Sequence, residues 1–407
     1  MHILLIHQAF ASLDEPGGTR HHELARYLAE KGHRVTVIAS PVSYLTGTAS
    51  PQTASAKREK KKQGEVVILR TPVYAAHHRS FFHRLLAFFS FMFSSFFLGL
   101  RVRKVDVVWG TSPPIFQSVT AWLLARLKRV PFLFEVRDLW PAFAVAVGVL
   151  KNPLLIRLSQ GLERFLYRRA DRLIVNSPGF IPHVLGCGAR RVDLVPNGAD
   201  PEMFVPADRG GALRRLHHLE DKFVALYAGA HGISNDLQVV LEAARLLARE
   251  TDIQIVLVGD GKEKPNLQRH AAQMSLGNVL FLPPVPKKGM AAALSAADAC
   301  VAILLPVEAY KTTYPNKVFD YMAAGRPVVL AIDGVIREVV ESADCGLFSR
   351  PGDPTAMAEA IRLLAADKRR ARAMGQRGRR YVEEFFSRQV IAGRLLAILD
   401  EMVVARS

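Results

Sequence analysis

Cysteine is scarce in this chain. Its three residues, Cys187, Cys300 and Cys345, lie far apart and lack the paired spacing of a zinc module or a disulfide framework, so reduced thiols are expected. HExxH, Cys-x-x-Cys, a Walker lysine loop and a Gly-x-Ser-x-Gly elbow are all absent. Metalloprotease, zinc-finger, P-loop ATPase and serine-hydrolase chemistry therefore lack their minimum equipment. The opening MHILLIHQAF has no charged region ahead of its apolar run and no small-residue cleavage site, so it predicts a first strand rather than a secretory signal. Acidic residues are in deficit, 37 against 54 Lys and Arg, and the net charge of +17 predicts attraction to phosphate groups. The basic run KREKKKQ closing Ala49 to Gln63 has no interleaved aromatics, which argues against a nucleic-acid surface and for a polar, mobile loop.

The 407 residues exceed what one core usually holds, so two domains are the default. Short apolar runs alternate with helical patterns such as Arg20 to Lys31 and Val119 to Lys128. In the first half the runs are His2 to Ile6, Val35 to Ala39, Val66 to Leu69, Val105 to Trp109, Phe132 to Val136, Leu173 to Val175 and Val192 to Val195. The second half repeats the scheme at Phe223 to Ala228, Ile253 to Val258, Val279 to Leu282, Ala299 to Leu304 and Val328 to Ala331. This alternation predicts an α/β chain with two Rossmann-like, parallel-sheet domains. Pro and Gly in Val195 to Pro206 mark the link: residues 1–200 form the first domain and 201–380 the second. The segment from Tyr381 onward reads as helix.

The stretch from Pro306 to Leu330, PVEAYKTTYPNKVFDYMAAGRPVVL, reads as strand end, polar loop, helix and strand, with Gly325 as the helix stop. A loop at the carboxyl end of a parallel strand that feeds a helix N-terminus offers backbone N–H groups to an anion. Lys317 adds a cation, and Asp320, one turn on, can accept from a hydroxyl. The combination suits a phosphorylated sugar or a nucleotide. Glycine loops also follow the second half's first two strands, as Gly229-Ala230-His231-Gly232 and Gly259-Asp260-Gly261-Lys262. In the first half, Gly17 and Gly18 precede a helix but do not form GxGxxG, and a plain tight turn accounts for them equally well. Arg137 and Asp138 end a strand. They either enter the cleft together or form a local ion pair that holds the loop.

Charge is absent altogether from Leu85 to Leu100, LLAFFSFMFSSFFLGL, which contains six Phe. As a helix it is about 24 Å long, short of the roughly 30 Å hydrocarbon core. Arg79, His83 and Arg84 precede it, and Arg101, Arg103 and Lys104 follow. Such flanks suit a helix lying in an anionic headgroup layer, with burial against a sheet as the alternative. On the interfacial reading, Ser in place of Phe88, Phe91 and Phe96 releases the protein from membranes.

Taken together, the Gly17-Gly18 loop, Glu135 to Pro141, Ala170 to Ser177, Pro196-Asn197-Gly198-Ala199-Asp200 with Phe204 and Pro206, Gly259-Asp260-Gly261 and Pro315 to Val329 resemble the retaining glycosyltransferases of family four. The nearest branch is similar to bacterial enzymes of capsule, O-antigen and exopolysaccharide assembly, including L-fucosamine transferases. The resemblance implies a GT-B fold, two Rossmann-like domains facing across a cleft, with the segment 381–407 crossing back onto the first. It implies transfer from a nucleotide sugar of the UDP-linked class to a polyprenyl-diphosphate-linked saccharide at the inner face of the cell membrane. No cofactor, metal or nucleic acid is implied. A UDP-sugar epimerase and a non-catalytic nucleotide-sugar-binding protein share the architecture. By position, Gly259, Asp260 and Gly261 lie near the base, and Asp320 meets the ribose. Thr312, Thr313, Tyr314, Pro315 and Asn316 face the sugar and diphosphate through their N–H groups, and Gly17, Gly18 and Gly229 approach the diphosphate. Arg137, Asp138 and Lys317 are the implied catalytic groups. The family's two Glu, with seven residues between them, are here Thr312 and Asp320. Its Arg and Lys on the first loop of the second domain are missing, so His231 is expected to neutralise the diphosphate, supported by Lys317, Lys287 or Lys288.

Overall fold

Val, Ile, Leu and Phe crowd the short apolar runs with no polar alternation, so each strand must be covered on both faces. In the computed structural model, which describes residues 1–12, 18–42, 57–60, 64–74, 81–204 and 211–405, these runs build two parallel sheets. Two compact units contain them: Met1–Pro196 with Ile391–Ser407, and Asn197–Val390.

The first unit holds β1 (His2–Ile6), β2 (Arg34–Ala39), β3 (Lys57–Lys60), β4 (Glu65–Arg70), β5 (Val107–Ser112), β6 (Phe132–Val136), β7 (Arg172–Val175) and β8 (Val192–Leu194), in the order β3-β4-β2-β1-β5-β6-β7-β8. All neighbours are parallel except β3, which pairs antiparallel with β4. Lys57–Lys60 is therefore an edge strand and not the loop its charge suggested. An edge strand presents one row of backbone groups away from its neighbour. The fifth strand also runs further than its apolar core, because Gly110, Thr111 and Ser112 continue the ladder to β6.

The second unit holds β9 (Phe223–Ala228), β10 (Ile253–Val258), β11 (Val279–Leu282), β12 (Ala299–Ile303), β13 (Val328–Ala331) and β14 (Gly346–Phe348), ordered β11-β10-β9-β12-β13-β14 and all parallel. In both sheets the strand order reverses beside the first strand, which opens a crevice at the carboxyl ends where α/β proteins bind ligands. The segment after Tyr381 is not one helix. A π turn, Val382–Phe386, ends at Ser387, which bridges to Ala199, and the helix Arg388–Val404 starts afresh. Ile391, Leu395, Leu399 and Met402 of that helix are buried with Ile3, Leu5 and Val35 in the first unit's core.

In the first unit, Glu135 of β6 is fully buried. Its carboxylate accepts from Arg20 Nε at 3.0 Å, His21 Nε2 at 2.6 Å and Trp109 Nε1 at 3.1 Å. Arg20 also donates to the carbonyls of Pro196 and Val195, at 2.5 and 2.6 Å. Burial opposes the Glu135 charge, but the contacts with His21 and Arg20 more than offset it and hold the carboxyl well below the usual range. Burial lowers His21 to about 4, so at pH 7 the imidazole is a neutral donor and Arg20 supplies the compensating charge.

Helix α1 (Arg20–Glu30) precedes β2, and α2 (Phe81–Arg101) precedes β5. At 21 residues, α2 is about 31 Å long, and His83–Arg101 is long and apolar enough to cross a membrane by length and composition alone. One face is nevertheless committed to the unit. Ala87, Phe91 and Ser95 are buried, and a Cβ at Gly99 would stand 2.4 Å from Leu124 of α3 (Phe116–Lys128). The other face carries Leu86, Phe89, Phe93, Phe97 and Leu100, all exposed, with Phe97 at 61%. Phe91 thus belongs to the core, and Phe88 and Phe96 are half-buried, so among the described side chains of α2 the exposed phenylalanines are Phe89, Phe93 and Phe97.

Phe91→Ala should cost about 3–5 kcal/mol of stability, and Phe97→Ala no more than about 0.5 kcal/mol. The three Trp, at 109, 122 and 140, all lie in the first unit, so tryptophan fluorescence during urea unfolding reads that unit alone. Equal losses in the two variants would overturn the assignment of faces.

Candidate functional site

The expected site residues divide between the units. Gly18, Arg137 and Asp138 belong to the first, and Gly17 lies outside the described residues, as do Arg79 and Pro206. Gly18 is exposed two residues before α1, and a Cβ there would meet nothing within 4 Å. Arg137 is turned toward β5: Nε donates to Thr111 Oγ1 at 2.8 Å and Nη2 to the Pro113 carbonyl at 3.0 Å. Asp138 keeps one carboxylate oxygen buried without a hydrogen-bond partner. Burial raises it to about 6 against the pull of Arg137, which places it in the range useful for proton transfer.

The other residues gather in the second unit where β9, β10 and β12 end. Here two glycines are required by close approach. At Gly259 (φ +149°) a Cβ would fall 1.9 Å from the Gly229 carbonyl oxygen, and at Gly229 (φ +154°) one would fall 3.0 Å from Lys317 Nζ. The loops after β9 and β10 are therefore in backbone contact, reinforced by the His231 N–H donating to the Asp260 carbonyl at 2.8 Å. Lys264 extends the clasp. Its Nζ donates to the carbonyls of Gly259 and Leu282, at 2.7 and 3.0 Å, and so joins the end of β10 to the end of β11. Asp260 Oδ1 accepts from the Gly261 N–H at 2.8 Å.

The loop after β12 meets this clasp from the other side. Tyr310 donates its hydroxyl to Ser234 at 2.7 Å, and Leu305 N–H donates to the Ser234 carbonyl at 3.0 Å. Thr312 and Thr313 donate their hydroxyls to the carbonyls of Ala309 and Tyr310, and the Thr313 N–H also goes to Tyr310. Pro315 has no N–H to give. The expectation that all of 312–316 present amides to a ligand therefore fails at Thr313 and Pro315. The amides of Asn316 and Lys317 begin the helix Asn316–Ala323, which has no side-chain cap. Tyr314 packs its ring on Phe319 and Phe386, and its carbonyl accepts from Asn197 at 2.7 Å.

Lys317 is the cation of this site. Nζ lies 2.8 Å from Tyr227 Oη and 3.1 Å from Asn235 Oδ1, over the Tyr227 ring. Burial lowers it to about 7. His231 does not fill the expected role. It is fully buried, and burial followed by Lys264 lowers it to about 4, so the ring is neutral at pH 7. Lys287 is not a phosphate cation either, because Nζ contacts both oxygens of Asp320 at 2.6 Å. Asp320, buried one turn into its helix, also accepts from Asn316 Nδ2 at 3.3 Å. Sequence reading passed over Tyr227, Asn235 and Lys264. Only the position of Lys264, five residues beyond Gly259, hinted at its part.

This site is a cradle of backbone groups around Lys317 at the crevice of the second sheet, suited to an anion carrying hydroxyls. Two family models match the chain: "Glycosyl transferase 4-like domain" over residues 17–198 and "Glycosyl transferases group 1" over residues 222–367. The chain belongs to the group 1 glycosyltransferases. Among relatives of this family, WcaI of Escherichia coli K12, a glycosyl transferase assigned to colanic acid biosynthesis, is 27% identical over 321 residues, covering 76% of this chain and 78% of its own. Sucrose-phosphate synthase from Thermosynechococcus elongatus superposes with a TM-score of 0.79 at 19% identity, covering 99% of both chains. HepE of Anabaena, solved in complex with UDP-glucose, gives 0.71 at 15% identity, covering 98% of this chain and 100% of its own. These neighbours establish the GT-B fold for this group 1 glycosyltransferase.

The lysine sets a pH dependence. Below pH 7 Lys317 is protonated in folded and unfolded chains alike, and the full cost of burying its charge is present. From pH 7 to about 10.5 the folded lysine is neutral while the unfolded one still holds its proton, so its contribution to stability rises with pH. The melting temperature of Lys317→Met relative to wild type should therefore be more favourable at pH 6 than at pH 9.5. A gap that does not change with pH would remove Lys317 from its buried position.

Proposed function

We propose that this glycosyltransferase moves a sugar, with retention at the anomeric carbon, from a UDP-linked donor to a polyprenyl-diphosphate-linked saccharide. The setting is the inner face of the cell membrane, and the product a bacterial surface polysaccharide of the exopolysaccharide, O-antigen or capsule kind. The observation that carries the reading is the convergence of the Gly229 and Gly259 loops, Lys317 and the amides of Asn316 and Lys317 at one sheet crevice. Backbone amides and a lysine stabilise the charge that develops on a departing diphosphate, which is the largest need of a reaction without a protein nucleophile. No metal is required in this scheme. Asp320, oriented by Lys287, accepts from the ribose hydroxyls, and Asp138 with Arg137 serves the acceptor side. The UDP-glucose held by HepE supports the donor class. The colanic acid assignment of WcaI supports the polysaccharide product.

The exposed stripe Leu86, Phe89, Phe93, Phe97 and Leu100 supports a membrane-surface role for α2, as does the net charge of +17. An apolar helix face beside Arg101, Arg103 and Lys104 matches an anionic bilayer in both chemistry and charge.

Purified enzyme, a panel of nucleotide sugars that includes UDP-L-fucosamine, and lipid-linked acceptors should yield a glycosylated lipid with the donor's anomeric configuration. An epimerised free nucleotide sugar would identify an epimerase, and no nucleotide binding by calorimetry would identify a scaffold. Lys317→Ala and Asp320→Asn should each weaken UDP binding by about 1–3 kcal/mol, the loss of a hydrogen bond to a charged or polar ligand group. Unchanged affinity in both would overturn the site.

Flotation with vesicles containing anionic lipid should recover wild type in the lipid fraction. Phe93→Ser with Phe97→Ser should remain in the soluble fraction without unfolding. Retention of the double variant on vesicles would overturn the α2 docking face.

A further inference from the structure

The spacing of the cysteines gives no metal signal, yet the fold of the first unit sets Cys187 beside two other donors from separate helices. Glu163 lies on the helix Pro153–Arg169, and His183 on the helix Ile181–Gly186, whose C-cap is Cys187. A His and a Cys four apart point to the same side of one turn. Glu163 Oε1 stands 2.9 Å from His183 Nε2, Cys187 Sγ stands 3.7 Å from that same Nε2, and the three donor atoms all lie within 4.8 Å of one another.

We propose that Glu163, His183 and Cys187 bind one zinc ion, with water in the fourth position. Three observations carry it. First, the separations approach those of ligands around a tetrahedral Zn²⁺, where metal–ligand distances are about 2.0–2.3 Å. Second, the arrangement cannot be a nucleophile relay. A Cys–His–carboxylate relay uses the two ring nitrogens on opposite sides, whereas here Glu163 and Cys187 both face Nε2. Third, Glu163 is a buried carboxylate, 2% exposed, whose hydrogen bonds among the described residues come from the Tyr167 hydroxyl at 3.0 Å and from His183, and none from a Lys or Arg. Buried carboxylates are paired with cations or hold metals. The mixed sulfur, nitrogen and oxygen set suits zinc.

Tyr167 holds the carboxylate oxygen as an outer partner. The imidazole keeps its hydrogen on Nδ1 and gives the Nε2 lone pair to the metal, and the Cys187 thiol releases its proton to solvent. Both His183 and Cys187 are half-buried, so an ion and its water have an entry path. The ion ties together the helices on either side of β7. These three residues belong to the first unit and the sugar-nucleotide residues to the second, and the inference does not depend on the donor or acceptor.

Full-length protein dialysed against chelator is titrated with Co²⁺ as a spectroscopic probe and with Zn²⁺ against a chromophoric chelator. One equivalent should bind, with a thiolate-to-cobalt charge-transfer band, and the melting temperature should rise with Zn²⁺ concentration. Cys187→Ser should abolish the band, and His183→Gln should weaken Zn²⁺ binding by about 100-fold or more, beyond what loss of an outer partner does. Tyr167→Phe should weaken it by roughly tenfold. Cys300→Ser, at a fully buried thiol, should leave the band intact. A wild type without the band, or a Cys187→Ser variant that binds as tightly as wild type, would overturn the site.

Discussion

One buried carboxylate organises the first unit. Glu135 has no solvent to stabilise its charge, so its position is set by the donors that reach it: Arg20 and His21 at the start of α1, and Trp109 on β5. Removing any one would leave a charge unsatisfied in a medium where this is costly. The start of α1 is thereby held against two neighbouring strands. Through the same guanidinium, the carbonyls of Val195 and Pro196 are held where the first unit ends. His7, also buried, has its ring centroid 4.3 Å from that of His21 with the two planes tilted by 45°, and burial followed by His21 and Arg137 pushes it well below its ordinary range.

The second unit solves a different problem, how to bring positive potential to a crevice without exposing a row of cations. Its loops after β9 and β10 approach so closely that only glycine fits. Backbone amides and carbonyls, not side chains, therefore form the walls. Lys264 spends its charge on carbonyls that hold those walls, and Lys287 spends its own on Asp320. Lys317 is left beneath the crevice, partly desolvated and near neutrality in its titration. An arriving anion would favour its protonated form, so ligand charge and lysine charge reinforce each other.

Helix α2 shows how one composition serves two surroundings. Apolar residues cover it all round, which by itself is equally consistent with a core helix and a membrane-facing one. The fold divides it by angle: Ala87, Phe91, Ser95 and Gly99 are buried, Gly99 against Leu124 of α3, and Leu86, Phe89, Phe93, Phe97 and Leu100 are exposed.

Period and punctuation determined much by themselves. Apolar runs separated by helical patterns gave the parallel α/β architecture, and most of their limits agree with the strands within a residue or two. Gly229, Gly259, Asn316, Lys317 and Asp320 stood out because glycine loops and a helix start at strand ends have direct physical consequences. Strands β3 and β14 escaped notice, since pairing with β4 and β13 decides them and neither is a long apolar run. Tertiary structure alone decided the charge state of His231, the partner of Asp320, the outward Phe of α2 and the meeting of Glu163, His183 and Cys187. Each depends on which groups lie within a few ångströms in space. Burial and pairing are properties of that neighbourhood, and spacing along the chain does not encode them.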